Sequence, residues 1–131
     1  MTRAELIEYC LTYPDAYEDY PFEDPNWTCM RRRSNRRIFA FVFEREGELC
    51  ANLKCEPMTG DFLRQAANAY VRPAYHMNKQ HWITVIAGAC PQEELRSLIG
   101  ASYVLTQPKS AGLRCEKIDK TRGGRVADLE K

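Results

Sequence analysis

The segment WTCMRRRSNRRIFAFVFEREGELCANLK, residues 27–54, decides the fold class. It reads as three consecutive strands joined by two tight turns. The first strand runs from Trp27 to Arg33, and period-two alternation puts Trp27, Cys29 and Arg31 on one face. Ser34-Asn35 supplies the turn. The second strand, Arg37 to Glu44, is apolar on both faces, with Phe39, Phe41 and Phe43 on one side and Ile38, Ala40 and Val42 on the other. A strand of that kind is central and covered on both sides. Glu46-Gly47 turns the chain again, and Glu48 to Lys54 makes the third strand. The short connections predict an antiparallel meander.

Working outward, Thr2 and Glu5 stand at capping-box spacing. Leu6, Ile7, Cys10 and Leu11 then recur at helical spacing, so a first helix is expected over about residues 3–12. Residues 13–26 are rich in Pro, Asp, Glu and Tyr and read as a long acidic connection. After the meander, Pro57 opens a second helix, with Met58, Phe62, Leu63, Ala66 and Ala69 as its apolar stripe. Residues 71–80 read as a polar loop, and His81 to Ala87 as a fourth strand. A third helix follows Pro91, acidic in its first turn as the helix dipole favours, with Leu95, Leu98, Ile99 and Ser102 facing inward. The expectation is an α+β, single two-layer domain at residues 1–105. Its mainly antiparallel, four- to five-stranded sheet carries helices packed on one face. Residues 106–131 are expected to be a basic, loosely docked C-terminal extension.

Composition narrows the function classes. At 131 residues the chain fits one domain with its own core. No long apolar run or signal-peptide pattern is visible, which predicts a cytoplasmic chain with no membrane partner. Cys10, Cys29, Cys50, Cys55, Cys90 and Cys115 are scattered without a CxxC pair, so reduced, buried thiols are expected rather than disulfides or a metal site. No cofactor motif is present. The net charge is only +1, yet the first 26 residues are strongly acidic while the remainder carries a basic excess. A nucleic-acid role must therefore rest on a local patch.

Two segments carry candidate chemistry. Arg31, Arg32, Arg33, Arg36 and Arg37 bracket the first turn, and a hairpin tip bearing guanidiniums can grip phosphates. Alternation sends neighbouring arginines to opposite faces, so only some can share a contact. The same residues also fit an acidic protein partner or a solvated surface. The second segment is RPAYHMNKQHWITV, residues 72–85, which holds both histidines. Arg72, Asn78 and Lys79 are donors suited to phosphate. Tyr75, His76 and His81 suit a ligand or partner contact, or structural hydrogen bonding of a long connection. An acid–base pair of His76 and His81 requires an adjacent pocket. The acidic residues Asp15, Glu18, Asp19, Glu23 and Asp24 match no calcium-loop spacing and read as a solvated connection or an internal partner for basic side chains.

Several motifs together resemble the MmcQ/YjbR family of small bacterial proteins. They are Tyr13-Pro14, Tyr20-Pro21-Phe22 and Leu53-Lys54-Cys55-Glu56-Pro57. The run Val71-Arg72-Pro73-Ala74-Tyr75-His76-Met77-Asn78-Lys79 with His81-Trp82 follows, then Glu93-Glu94-Leu95 with Ser102-Tyr103. The resemblance spans about residues 3–105. It departs at Glu56, where Asp is usual, and at Glu23, where Gly is usual. It implies a single α+β domain compared with frataxin-like and double-wing folds, commonly called DNA-binding, with no established cofactor or catalytic residues. The combined expectation is a non-enzymatic, monomeric DNA-binding protein that contacts the phosphate backbone of double-stranded DNA through Arg31, Arg32, Arg36, Arg37, Arg72, Asn78 and Lys79. The alternative is a protein-interaction or structural domain. A third, an enzyme using His76 and His81, ranks below both.

Overall fold

In the computed structural model, the described residues are 1–108. Most of the extension expected at 106–131, with Cys115, therefore lies outside the described residues. The elements are α1 (Arg3–Cys10), β1 (Ala16–Asp19), β2 (Thr28–Arg32), β3 (Ile38–Arg45), β4 (Glu48–Lys54), α2 (Pro57–Ala66), β5 (Val71–Pro73), β6 (Trp82–Ile86) and α3 (Gln92–Leu105). They form an α+β domain with one six-stranded sheet in the order β1-β2-β3-β4-β6-β5. Every neighbouring pair is antiparallel. The three helices pack on one face.

The helix termini follow the sequence. The Thr2 hydroxyl accepts from the Glu5 amide, and the Glu5 carboxylate accepts from the Thr2 amide at 2.8 Å, so the capping box is complete. On α3, Leu95, Ile99 and Ser102 are buried as the spacing requires. Glu46 and Gly47 both have positive φ (55° and 80°). That is the backbone of a two-residue turn matched to strand twist, and it sets Arg45 opposite Glu48.

Four details differ from the sequence reading. First, the sheet has two more short strands than the four plainly read. β1 lies inside the acidic connection, and β5 lies at the start of the polar loop. Both are edge strands with a single buried residue each, Ala16 and Val71, so neither carries an alternating apolar pattern. Pro73 is tolerated at the end of an edge strand, where no ladder donor is needed.

Second, β3 does not alternate cleanly. Met30 faces Ala40 but Arg31 faces Ile38, so Phe39 is the extra residue of a β-bulge. Phe39 joins Ala40 and Val42 in the cluster beneath the helices, whereas Phe41 and Phe43 lie on the other side. The bulge carbonyl of Phe39 is satisfied by the Ser102 hydroxyl at 2.6 Å, which also accepts from the Lys54 amide at 2.8 Å. A single buried hydroxyl on α3 thus replaces the interrupted ladder. Tyr13 and Tyr103 close over Phe39, stacked on each other at 4.4 Å. Each fully buried large apolar side chain here stabilises the fold by about 1.5–3 kcal/mol.

Third, most of the apolar stripe of α2 faces outward, while its Leu63 packs against the core. Met58 and Phe62 are 84% and 66% exposed, and the one buried residue of the helix is Gly60. A β-carbon on Gly60 would stand 3.0 Å from Cys55 Sγ and 3.6 Å from Ile83 Cγ2. The close approach of backbone to sheet, with Leu63 beside it, sets the roll of this helix. Its side-chain periodicity does not.

Fourth, the helix-free face of the sheet is covered by its own aromatic side chains. Trp27 stacks on Phe43 at 4.3 Å, Phe41 meets Trp82 edge-to-face at 5.5 Å, and Tyr75 lies over Phe43 at 5.8 Å. The apolar character of β3 on both sides is therefore answered by helices on one face and by aromatics on the other.

Candidate nucleic-acid interface

The arginine hairpin is built into the domain on both sides. The β-bulge and the pleat send Arg31 to the helix-free face and Arg32 to the helix side. Arg31 Nε donates to Asp19 at 2.6 Å, and its Nη1 donates to the Arg36 carbonyl at 2.7 Å. Arg32 is 5% exposed. It donates to the Tyr103 carbonyl, to Thr106 Oγ1 at 3.2 Å and to Asp15 at 3.4 Å, and its guanidinium lies 3.6 Å above the Tyr103 ring. Arg31 and Arg32, expected to grip phosphate, are thus both engaged by partners inside the domain. One is neutralised across β1, and the other anchors the C-terminus of α3. Asp15 and Asp19 are these internal partners, the use the sequence left open for its acidic stretch.

Asp15 also accepts from the Ser34 hydroxyl at 2.6 Å and the Ser34 amide at 3.2 Å. These bonds, with the nearby Arg32 charge, hold its carboxyl below the usual aspartate value. A carboxylate whose folded pKa is depressed stabilises above its unfolded pKa of about 3.9, and that contribution is lost as pH falls through the folded value. In thermal melts from pH 6 downward (unfolding followed by circular dichroism), Asp15→Asn should be less stable than the parent at pH 6. The difference should shrink in acid. A constant difference across the series would contradict this role.

Arg36 and Arg37 remain exposed at the hairpin tip. Arg36 has a positive φ of 63°. The tip itself is fixed: Asn35 donates to the Thr106 carbonyl at 2.8 Å and accepts from the Arg37 amide at 2.9 Å. The sheet register then links this hairpin to the polar loop. Leu53 pairs with Ala40, and Lys54 pairs with Trp82, so the start of β3, the end of β4 and the start of β6 lie side by side. Lys54 sits 5.3 Å above the Trp82 ring. Burial, and next the Arg37 charge, hold its ammonium below the ordinary lysine pKa. Among the described residues, Arg36, Arg37 and Lys54 have no carboxylate partner.

The loop from Ala74 to His81 folds back over the helix-free face. A closed ring of hydrogen bonds holds it there. The Tyr75 amide donates to Thr84 Oγ1 at 2.8 Å, the Thr84 hydroxyl donates to Asn52 Oδ1, and Asn52 Nδ2 donates to the Tyr75 carbonyl at 2.9 Å. Asn52 is fully buried and Thr84 nearly so. The ring satisfies both backbone groups of Tyr75 where the loop covers apolar surface. His76 follows with φ of 62°, a left-handed conformation uncommon outside glycine. Asn78 Oδ1 accepts from the Gln80 amide at 2.8 Å, a local turn that leaves its amino group outward. Lys79 is exposed, with only the Met77 carbonyl near its ammonium at 3.5 Å.

His76 lines a surface cleft, together with Arg45, Arg72, Tyr75 and Lys79. His81 is exposed and does not line it, and no hydrogen bond joins the two imidazoles. The structure therefore separates the histidines that the sequence placed as a candidate pair. The sequence reading missed Arg45, Lys54, Asn52 and Thr84. Their common signal was the period-two alternation of β3, β4 and β6, which sets all four on the helix-free face. The five described cysteines are buried free thiols. Burial pushes Cys10 up to about 12 and Cys29 and Cys90 up to about 11, so they remain neutral thiols and poor nucleophiles. Among the described residues, no three His, Cys, Asp or Glu side chains gather as a metal site, and no helix is long and apolar enough to cross a membrane.

The profile of the YjbR family matches residues 11–105. The chain belongs to the YjbR family. The Escherichia coli protein YjbR is 35% identical over 104 residues, covering 79% of this chain and 85% of that protein. The Bacillus subtilis protein YyaQ is 31% identical over 119 residues, covering 82% of this chain and 99% of its own. A crystal structure of a Deinococcus radiodurans protein superposes with a TM-score of 0.71 at 34% identity, covering 79% of this chain and 77% of that one. A solution structure of a Pseudomonas syringae protein gives 0.70 at 30% identity, with 84% and 96% covered. The matched span runs through every strand and α3, so the cations and the loop described above lie within the YjbR domain rather than on an appendage.

Proposed function

We propose that this YjbR domain binds the phosphate backbone of duplex DNA through the helix-free end of its sheet, with Arg36, Arg37, Lys54 and Lys79 as the main contacts and Asn78 as an added donor. The observation that carries the reading is the row of cations without carboxylate partners, from the hairpin tip through Lys54 to the loop entering β6. Phosphate contacts need exposed, unpaired cations on a fixed frame. Arg31 and Arg32 are held by carboxylates, whereas Arg37 is exposed and Lys54, half-buried against Trp82, has no carboxylate partner among the described residues. The hairpin and loop are held by buried hydrogen bonds, so little ordering cost attends binding.

The test is a fluorescence titration against labelled duplex DNA across a salt series. Three to four contacts predict a log–log salt slope of about −3, because each neutralised phosphate contributes about −0.9. The double variant Arg37→Ala/Lys54→Ala should weaken binding and flatten the slope by about 2. Arg31→Ala should leave the slope unchanged. Absence of saturable binding at low salt would sink the proposal, and a slope indifferent to Arg37 and Lys54 would remove this footprint.

A second reading has its own observation. Met58 and Phe62 project from α2 on the opposite layer, an arrangement suited to an apolar protein contact. Met58→Lys should then disturb a protein partner while leaving any DNA titration unaltered.

A further inference from the structure

The cleft beside the β3–β4 turn is not accounted for by backbone binding. It has a volume of about 370 Å³, within the range of small-molecule sites. Three cations reach it from three separate elements: Arg45 from the end of β3, Arg72 from edge strand β5, and Lys79 from the loop. His76 lines it too, as do Glu46 and Glu48, the latter directly across the β3–β4 ladder from Arg45. Arg72 and Lys79 have no carboxylate partner among the described residues, and Arg45 has only a long contact of 3.8 Å to Glu46. Arg72 donates through Nε and Nη2 to the Asn68 and Ala69 carbonyls at 3.2 and 3.4 Å, which leaves Nη1 for a ligand, and the Lys79 ammonium keeps donors beyond its 3.5 Å contact with the Met77 carbonyl. The two glutamates would repel an extended polyanion, but they are acceptors for hydroxyl groups.

The geometry is fixed before any ligand arrives. Arg45 lies 4.1 Å above the Tyr75 ring, which itself packs 3.9 Å from the His76 ring. The Asn52–Thr84–Tyr75 hydrogen-bond ring holds the loop against the sheet. His76 is kept in a left-handed backbone conformation, and strain of that kind concentrates at ligand clamps. A site that gathers three cations and two carboxylate acceptors around one cleft fits one anion attached to a polyol.

We propose that this cleft binds a small hydroxylated organic monophosphate. Its phosphate sits among Arg72, Lys79 and Arg45, and its hydroxyls donate to Glu46 and Glu48. The proposal shares Lys79 with the nucleic-acid reading but does not rest on it, since Arg45, Arg72 and His76 line the cleft and take no part in the hairpin row.

The experiment is an amide-resolved NMR titration of the full chain with ribose 5-phosphate, inorganic phosphate and ribose as separate probes. Ribose 5-phosphate should saturate near about 1 mM, with shifts centred on residues 72–79 and 45–48. Inorganic phosphate should bind about tenfold more weakly, and ribose should not saturate in the same range. Arg72→Ala should weaken ribose 5-phosphate by about tenfold or more. Glu48→Gln should weaken ribose 5-phosphate and leave inorganic phosphate unaffected or slightly tighter. Arg37→Ala/Lys54→Ala should leave all three titrations unchanged, which separates this site from the DNA surface. Unchanged spectra outside the cleft confirm that each variant folds. Shifts that never saturate, or saturate equally in Arg72→Ala, overturn the site. Equal affinity for ribose 5-phosphate and inorganic phosphate overturns the polyol assignment.

Discussion

Arg32→Met is expected to lower the unfolding free energy by about 2–4 kcal/mol, the largest effect of any arginine in the hairpin. Methionine keeps much of the apolar stem but removes the bonds to the Tyr103 carbonyl and Thr106 Oγ1. It also removes a cation stacked on the Tyr103 ring, a contact contributing about 0.5–2 kcal/mol. Relief of guanidinium desolvation opposes these losses. The losses win because a buried guanidinium gives up several charge-assisted bonds and its ring stacking together, although the Tyr103 carbonyl still accepts from the Thr106 amide at 3.3 Å and the Thr106 hydroxyl at 2.9 Å. Thr106 keeps internal bonds to Ser102 and Tyr103, which limits the total. Denaturant unfolding measures the change, with Arg36→Met as a control expected to stay within about 0.5 kcal/mol. Hydrogen exchange should accelerate first at the end of α3. A loss below 1 kcal/mol for Arg32→Met would mean that water replaces the guanidinium at little cost.

Asn52→Leu is expected to cost about 2–3 kcal/mol and to free the loop that covers the helix-free face. Leucine keeps the heavy-atom branching of asparagine, and crowding by its larger methyl groups is not the main loss. The cost comes instead from the Tyr75 carbonyl and the Thr84 hydroxyl, which lose their partners in a dry setting. Thr84→Val removes the same ring from another side and strands the Tyr75 amide. Because both variants break one closed ring, the double variant should lose clearly less than the sum of the singles. Fast amide exchange across residues 74–81 in Asn52→Leu, with β3 and β4 still protected, would locate the effect in the loop. Additive losses with unchanged loop protection would show that the ring does not hold it. Binding of ribose 5-phosphate should fall with the loop, since His76 and Lys79 are placed by it.

Much of this architecture is legible in local patterns. Phe39, Phe41 and Phe43 interleaved with Ile38, Ala40 and Val42 marked a central strand, and β3 is third of six. Thr2 with Glu5, Glu46-Gly47, and the Leu95, Ile99, Ser102 spacing each specify a feature within a few residues. The polar run at 71–82 pointed to the family and to the loop that covers the sheet. The misreadings share a cause. β1 and β5 are edge strands that bury one residue each, so no alternation announces them. The outward roll of α2 depends on the absence of a side chain at Gly60. The bulge at Phe39 depends on a hydroxyl 63 residues later.

The candidate site divides in the same way. Alternation alone requires Arg31 and Arg32 to lie on opposite faces. Only the assembled fold decides that Arg32 is buried, because its partners at Tyr103 and Thr106 are 71 and 74 residues away. Only the register of β4 against β6 brings Lys54 beside Trp82 and so joins the hairpin cations to the loop. The sequence by itself determined the central strand, the helix caps, the turns and the family, since each rests on chemistry within one or two turns of chain. Tertiary structure decided which cations remain free and which are consumed as structural partners. A charged side chain is defined by what faces it, and those facing groups arrive from strands and helices distant in sequence.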